Sequence, residues 1–269
     1  MKKLTLLLLI SILFSCKKEK FDVQNLNGES LAIGHGGMGI GYSYPMNSYE
    51  SIRYALEIGA DGVEIDVDMT SDGVLVAYHD GDLSEATNGS GAIYEKKWSD
   101  INQLRFKSVP YSDYKIRSLD EILSKLPELG SHKFFLDCKL FSPNESDEYA
   151  EQFNRKLLEL IDKYGIAGNC FVEHKRENLI IDLTRRRQDI KVIVYEEFNK
   201  AVTLAEKYKL YGVILPIEEL NTERMSLLHG KNLRVTTFNL LSKEHNKEAL
   251  RLNVEYLQTD KVKHLIDLL

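Results

Sequence analysis

From residue 31 to its C-terminus the chain alternates, eight times over, between a short β-rich run and a run of helical periodicity. That alternation constrains the fold more than any other feature. A buried strand followed by an amphipathic helix leads to parallel strands joined by crossover helices. The expected strands are 31–35, 62–70, 133–140, 170–174, 191–195, 212–216, 234–239 and 255–259. A further run, 74–79, folds back from the second strand as a hairpin arm across the Asp72-Gly73 turn. The expected helices are 48–58, 118–126, 149–164, 178–187, 201–208, 222–228, 247–252 and 262–269. Ser118 and Glu121 have the spacing of a capping box at the start of one of them.

Eight such units in about 240 residues fit an α/β fold of the (β/α)8 TIM-barrel type. The rival is an open doubly wound sheet with a glycine-rich nucleotide loop. Gly34, Gly36 and Gly39 imitate that loop, but Gly41, Tyr42 and Ser43 follow them where a helix should begin. Segment 81–117 is too long for a plain strand-to-helix loop and reads as a small insertion after the second strand, above the barrel mouth.

The first 30 residues stand apart from this pattern. Lys2 and Lys3 precede an apolar run, 4–14, interrupted only by Ser11 and ending at Ser15-Cys16. The run is too short to span a bilayer and suits a signal-peptide core. Leu13-Phe14-Ser15-Cys16 resembles the lipobox of bacterial lipoproteins. Residues 1–15 are therefore expected to be a signal peptide, Cys16 a lipid anchor, 16–30 a tether and 31–269 the barrel. Such a protein belongs in the cell envelope, held to a membrane and facing the periplasm or the exterior. Loss of the leader takes the formal charge from −6 to −8, because Lys2 and Lys3 leave with it. With that charge, and no basic run beyond Arg185-Arg186-Arg187, a nucleic-acid partner is not expected. Cys138 and Cys170 remain, too few for a disulfide framework, and read as buried thiols.

Barrel enzymes carry their chemistry at the C-terminal ends of the strands. The second strand reads Val63-Glu64-Ile65-Asp66-Val67, so Glu64 and Asp66 share one face of an otherwise aliphatic run. The third reads Phe135-Leu136-Asp137-Cys138-Lys139, placing Asp137 and Lys139 together in the same way. Unpaired carboxylates inside a barrel are costly, and a hard divalent cation removes that cost. The alternative is a buried Asp137–Lys139 pair without metal. His35 ends the first strand and His79 ends the hairpin arm, both beside the acids and suited to proton transfer. His132, His174, His229, His245 and His264 lack this context, although His174, ending the fourth strand beside Glu173, is placed where it could reach the mouth.

Read together, Ile33-Gly34-His35-Gly36-Gly37, Pro45-Met46-Asn47-Ser48, Gly59 through Val67, Thr70-Ser71-Asp72-Gly73-Val74, Tyr78-His79-Asp80 and Thr87-Asn88-Gly89-Ser90-Gly91 resemble the glycerophosphodiester phosphodiesterase family. Val235-Thr236-Thr237-Phe238-Asn239 and Leu257-Gln258-Thr259-Asp260 resemble its last two strands. The resemblance implies a TIM barrel with an insertion after the second strand. It implies one calcium or magnesium ion on Glu64, Asp66 and Asp137, with His35 and His79 as the catalytic pair. It departs at three positions. Asp137 stands for the family's glutamate, Gly36 for the arginine after the first histidine, and Met46 for the glutamate of Pro-Glu-Asn-Thr. Loss of two opposite charges together reads as a coordinated change of site. Phosphate is then expected to rest on the metal, Lys139 and the amides of 36–41, with Phe238 at the substrate. The implied reaction is metal-assisted phosphodiester hydrolysis, with one of His35 and His79 as base and the other as acid; which does which stays open, with His35 the first choice for base. A lyase that stops at a cyclic phosphate, or a non-catalytic binder of phosphodiesters, would use the same residues. The expected partners are a small-molecule phosphodiester and, through the anchor, a membrane; no obligate protein partner is expected.

Overall fold

Eight parallel strands close on themselves, because the first pairs with both the second and the last. The computed structural model describes residues 21–142 and 146–269. In chain order the elements are β1 (Leu31–Gly34), α1 (Tyr49–Glu57), β2 (Gly62–Met69), β3 (Leu75–Ala77), α2 (Trp98–Ile101), β4 (Arg117–Ser118), α3 (Leu119–Leu123), β5 (Lys133–Cys138), α4 (Asp147–Tyr164), β6 (Cys170–His174), α5 (Glu177–Arg186), β7 (Lys191–Tyr195), α6 (Phe198–Tyr208), β8 (Gly212–Pro216), α7 (Thr222–Gly230), β9 (Arg234–Leu240), α8 (Lys243–Arg251), β10 (Tyr256–Thr259) and α9 (Val262–Leu268). The barrel is β1, β2 and β5 to β10, as the alternation requires. β3 returns antiparallel on β2, and β4 on β3.

Local chemistry explains the helix starts. Ser48 caps α1 and Ser146 caps α4, each hydroxyl accepting from a backbone amide of the first turn. The Ser118–Glu121 capping box forms as expected, although α3 ends three residues early. α8 begins four residues before the expected 247, because Ser242 caps it through the His245 amide. α6 likewise begins three residues early behind a Glu197 cap.

Each strand sends alternate side chains to two cores. Outward residues such as Val63, Phe134, Leu136, Val172 and Val213 join the helices in the larger one. Inward, Leu31, Ile33, Phe135, Phe171, Ile193, Ile214 and Tyr256 fill the lower barrel. The Phe135 and Phe171 rings stack at 4.3 Å, with Tyr256 tilted against both. Burial of each such ring stabilises the fold by roughly 1.5–3 kcal/mol. Cys138 and Cys170 are buried and unbonded to one another.

The insertion packs Leu83, Ile93, Ile101, Phe106 and Ile116 into a small separate core with Val76 and Tyr78 of the hairpin arm. The expected signal peptide and Cys16 lie outside the described residues. The later part of the expected tether is not loose. The Gln24 amide donates to Asn253, the Leu26 amide to Glu255, and the Ser30 hydroxyl to the Val254 carbonyl, all beside the N-terminal end of β10. The polar composition that suggested a linker instead supplies these bonds. Among the described residues no helix is long and apolar enough to cross a membrane.

Candidate active site

The barrel interior changes character two residues above the aromatic layer. β2 and β5 pair with Asp66 opposite Asp137, and β5 and β6 with Asp137 opposite Glu173. In-register neighbours share a face, so three acids occupy one level, with Glu64 beside them. One ligand oxygen from each of Glu64, Asp66 and Asp137 lies within 4.8 Å of the others. Lys139, just past the end of β5, sets its Nζ 2.9 Å from Asp66 Oδ1 and 2.6 Å from Asp137 Oδ2.

The charges within this cluster are strongly perturbed. Burial, and then the charges of Asp66 and Asp137, push the Glu64 carboxyl well above its ordinary value. Burial raises Asp137 too, against the opposing pull of Lys139. For Asp66 burial is outweighed by Lys139, His79 and His35, and the carboxyl is held down. Burial lowers the Lys139 ammonium, but Asp66, Asp137 and Glu64 together raise it. Glu64 Oε2 accepts from the Gly36 amide at 2.7 Å, while Oε1 is buried without a hydrogen bond. That orphaned oxygen, in a set of three carboxylates, fits a hard cation with oxygen ligands.

Two residues that the sequence left unassigned hold this cluster. Asn47 adopts a left-handed backbone (φ 62°), which asparagine tolerates better than most residues. Its Nδ2 donates to Asp66 Oδ2 at 2.6 Å, and its Oδ1 accepts from the Asp66 amide at 3.0 Å. Glu173 accepts from Gln258 at 2.8 Å and keeps its other oxygen buried and unbonded. Burial, followed by the charges of Asp137 and Glu64, pushes its carboxyl well up. Asp68, next along β2, is pushed up to about 6 by burial and lies outside the three-acid group.

Both histidines line one pocket of about 400 Å³ at the mouth. His35 Nδ1 lies 2.8 Å from Asp260 Oδ1, and His79 Nδ1 lies 2.9 Å from Asp80 Oδ1. A carboxylate at Nδ1 favours the Nδ1–H tautomer and leaves Nε2 as the acceptor. His35 is 22% exposed and His79 53%. Burial lowers the His35 imidazole, but the Asp260 hydrogen bond and the charges of Asp66 and Asp260 overcome it, so its pKa is raised. The Asp260 partnership spans 225 residues and depends on barrel closure.

Several expectations change at this point. The amides of Gly36, Gly37, Met38 and Gly39 donate to Glu64, the Gly34 carbonyl, Ser51 Oγ and the His35 carbonyl. The Gly36 amide thus supports a carboxylate rather than facing a phosphate. Phe238 faces the barrel axis above the aromatic layer and meets Tyr195 edge-on at 5.4 Å; it is not among the residues that line the histidine pocket. His174 points outward, not to the mouth. It is buried against α4, with Nε2 3.3 Å from Asn154 Oδ1, and burial drives its pKa down to about 3.

The two uncharged departures touch each other. A Cβ added to Gly36 would lie 2.7 Å from Met46 Cε and 2.8 Å from Met46 Cβ, on a backbone with φ +53°. The Met46 side chain occupies the space a side chain at 36 would need.

An α/β barrel with acids, an amine and two oriented imidazoles at the C-terminal mouth has the layout of a hydrolytic enzyme. The chain belongs to the glycerophosphoryl diester phosphodiesterase family, whose sequence model matches residues 38–264. It is 24% identical over 253 residues to a glycerophosphodiester phosphodiesterase of Caldanaerobacter subterraneus subsp. tengcongensis, covering 89% of this chain and 98% of that one. A glycerophosphodiester phosphodiesterase of Arabidopsis thaliana is 27% identical over 78% of this chain, which spans 57% of that relative. The fold matches an Oleispira antarctica phosphodiesterase solved with its product sn-glycerol-3-phosphate (TM-score 0.77, 18% identity, covering 87% of this chain and 94% of that one). It also matches a glycerophosphodiester phosphodiesterase from Parabacteroides distasonis (TM-score 0.75, 17% identity, covering 92% and 97%). The protein is accordingly a phosphodiester hydrolase of this family.

Proposed function

We propose that the protein hydrolyses glycerophosphodiesters or related lipid-derived phosphodiesters, with two imidazoles moving protons beside one divalent cation. The observation that carries this reading is the meeting, at one mouth, of three carboxylates within 4.8 Å and two histidines each held at Nδ1 by an acid. When bound on Glu64, Asp66 and Asp137, calcium or magnesium supplies the positive charge that offsets negative charge growing on the phosphate oxygens. Lys139 adds a fixed ammonium at the same place. His35, backed by Asp260, takes a proton through Nε2 from water or from a neighbouring substrate hydroxyl. His79, backed by Asp80, returns one to the leaving alkoxide. The product recorded for the Oleispira relative, sn-glycerol-3-phosphate, supports a glycerol phosphodiester as substrate.

Turnover of glycerophosphocholine, glycerophosphoethanolamine and glycerophosphoinositol, with calcium, magnesium or chelator, tests this. Chelation should abolish activity. His35→Ala and His79→Ala should each lower kcat by roughly 10²–10⁴ with Tm unchanged. Full turnover in both variants overturns the acid–base assignment. A cyclic phosphate that persists in phosphorus NMR identifies a lyase instead.

We also propose that Cys16 carries a lipid anchor in the cell envelope, supported by the basic, apolar, Ser15-Cys16 order of the leader. Cys16→Ser should move the protein from the membrane fraction to the soluble one, and unchanged sedimentation with membranes removes the idea.

A further inference from the structure

The pocket beside the acids has two walls. The loop from β1 to α1 supplies Ile40, Tyr44 and Met46, and the insertion supplies Phe106 and Tyr111. The Tyr111 hydroxyl donates to the Tyr42 carbonyl and ties the walls together. Among the described residues no lysine or arginine lines the pocket, and away from His35, His79 and Asp80 its surface is mainly apolar and aromatic. Outward, the walls continue as Ile40, Tyr42 and Val109, which are 60%, 37% and 88% exposed.

Met46, seated on Gly36, contributes to this character. The clash of a Cβ at 36 with Met46 makes the two positions one steric unit: a side chain at 36 and Met46 as placed exclude each other. Where the family resemblance implies an arginine and a glutamate, this chain has bare backbone under a thioether. An ionic or hydroxyl-rich group placed against that wall loses hydration and finds no charged partner in return. A hydrocarbon group there gains on leaving water.

We propose that Met46, seated on Gly36, sets specificity for a phosphodiester with a hydrocarbon arm. The preferred substrates are then single-chain amphiphiles of the lysophospholipid type, with the anionic phosphate at Lys139 and the chain between the two walls. This rests on the phosphodiesterase reading above. In the reaction a water oxygen bonds to phosphorus and the P–O bond to the leaving alcohol breaks. The proton taken from water ends on that alcohol, giving a phosphomonoester.

The test uses the metal-loaded enzyme with glycerophosphocholine and its 1-hexanoyl, 1-octanoyl and 1-decanoyl derivatives, all below their micellar concentrations. The kcat/KM should climb by about two- to fourfold per methylene until the pocket is full. Met46→Glu should flatten the series, and Met46→Gln, of nearly equal volume, covers failure of the first variant to fold. Equal kcat/KM for glycerophosphocholine and its octanoyl derivative overturns the proposal. Calorimetric titration with hexyl-, octyl- and decylphosphocholine separates it from the parent reading. If no diester is turned over, affinity that rises with chain length still supports the pocket, and affinity that stays flat sinks it.

Discussion

The lower and upper halves of the barrel interior are built from the same strands and obey opposite rules. On β5, Phe135 packs in the lower layer, Asp137 follows two residues above it, and Lys139 comes just past the strand's end. On β6, Phe171 lies below Glu173. The lower half is apolar, with two rings stacked at 4.3 Å, and gains stability from every contact. The upper half gathers four acids around one lysine and leaves oxygens of Glu64 and Glu173 buried without hydrogen bonds. A single two-residue step along a strand therefore separates a group that holds the fold together from one that strains it.

The strongest way to sharpen that contrast is Phe135→Ala. It should destabilise the protein by roughly 3–5 kcal/mol in urea denaturation, while turnover per folded molecule stays near normal. A comparable loss of kcat in fully folded protein would break the division between halves. Next comes Asp260→Asn, which removes an interaction that raises the His35 pKa. A base works only when deprotonated, so the acid limb of kcat/KM should move to lower pH. The maximum should fall by about tenfold from lost ring orientation, within the usual range for a residue that orients a catalytic group. A lower rate without a pH shift would mean that Asp260 acts only structurally.

In the upper half the sign of a stability change should reverse. Glu64, pushed up in the fold, weakens the metal-free protein as pH rises and the carboxyl is forced to ionise. Glu64→Gln should therefore stabilise the chelated protein at neutral pH, by about 1 kcal/mol, while abolishing cation uptake in calorimetry. A destabilised variant would show that the acids are not in conflict. At neutral pH the smallest effect concerns His174, outside the barrel. Its pKa falls from 6.5 to about 3 on folding, so it stabilises the fold above pH 6.5 and that contribution is lost as pH drops toward 3. His174→Gln should make the acid side of the stability curve shallower, as measured by urea midpoints across that range.

The fold was legible because apolar strands and amphipathic helices alternate, and single residues mark their ends. The mistaken starts of α6 and α8 come from caps, Glu197 and Ser242, that precede the apolar periodicity. In the site, Glu64, Asp66, Asp137 and Lys139 were visible because charges interrupting a buried strand need a reason. Asp260 and Asn47 were not assigned roles, since each acts through a partner set by register or backbone angle rather than by sequence spacing. His174 and Glu173 are adjacent, and alternation alone says that one points in and the other out. It does not say which, until β5 and β6 are aligned. The backbone amides after His35 could not be aimed from sequence, because their directions follow the turn that glycine permits.

Lys139 gives this barrel a resting state. Its ammonium already neutralises part of the acidic nest, so emptying the site does not leave bare like charges facing one another. A cation entering the site proposed above would meet side chains already in place and compete with a tethered ammonium rather than organise a slack loop. If the cation proposed above is required, chelators should then act as reversible off-switches that leave the barrel standing, and free-ion concentration should set the working fraction of the enzyme.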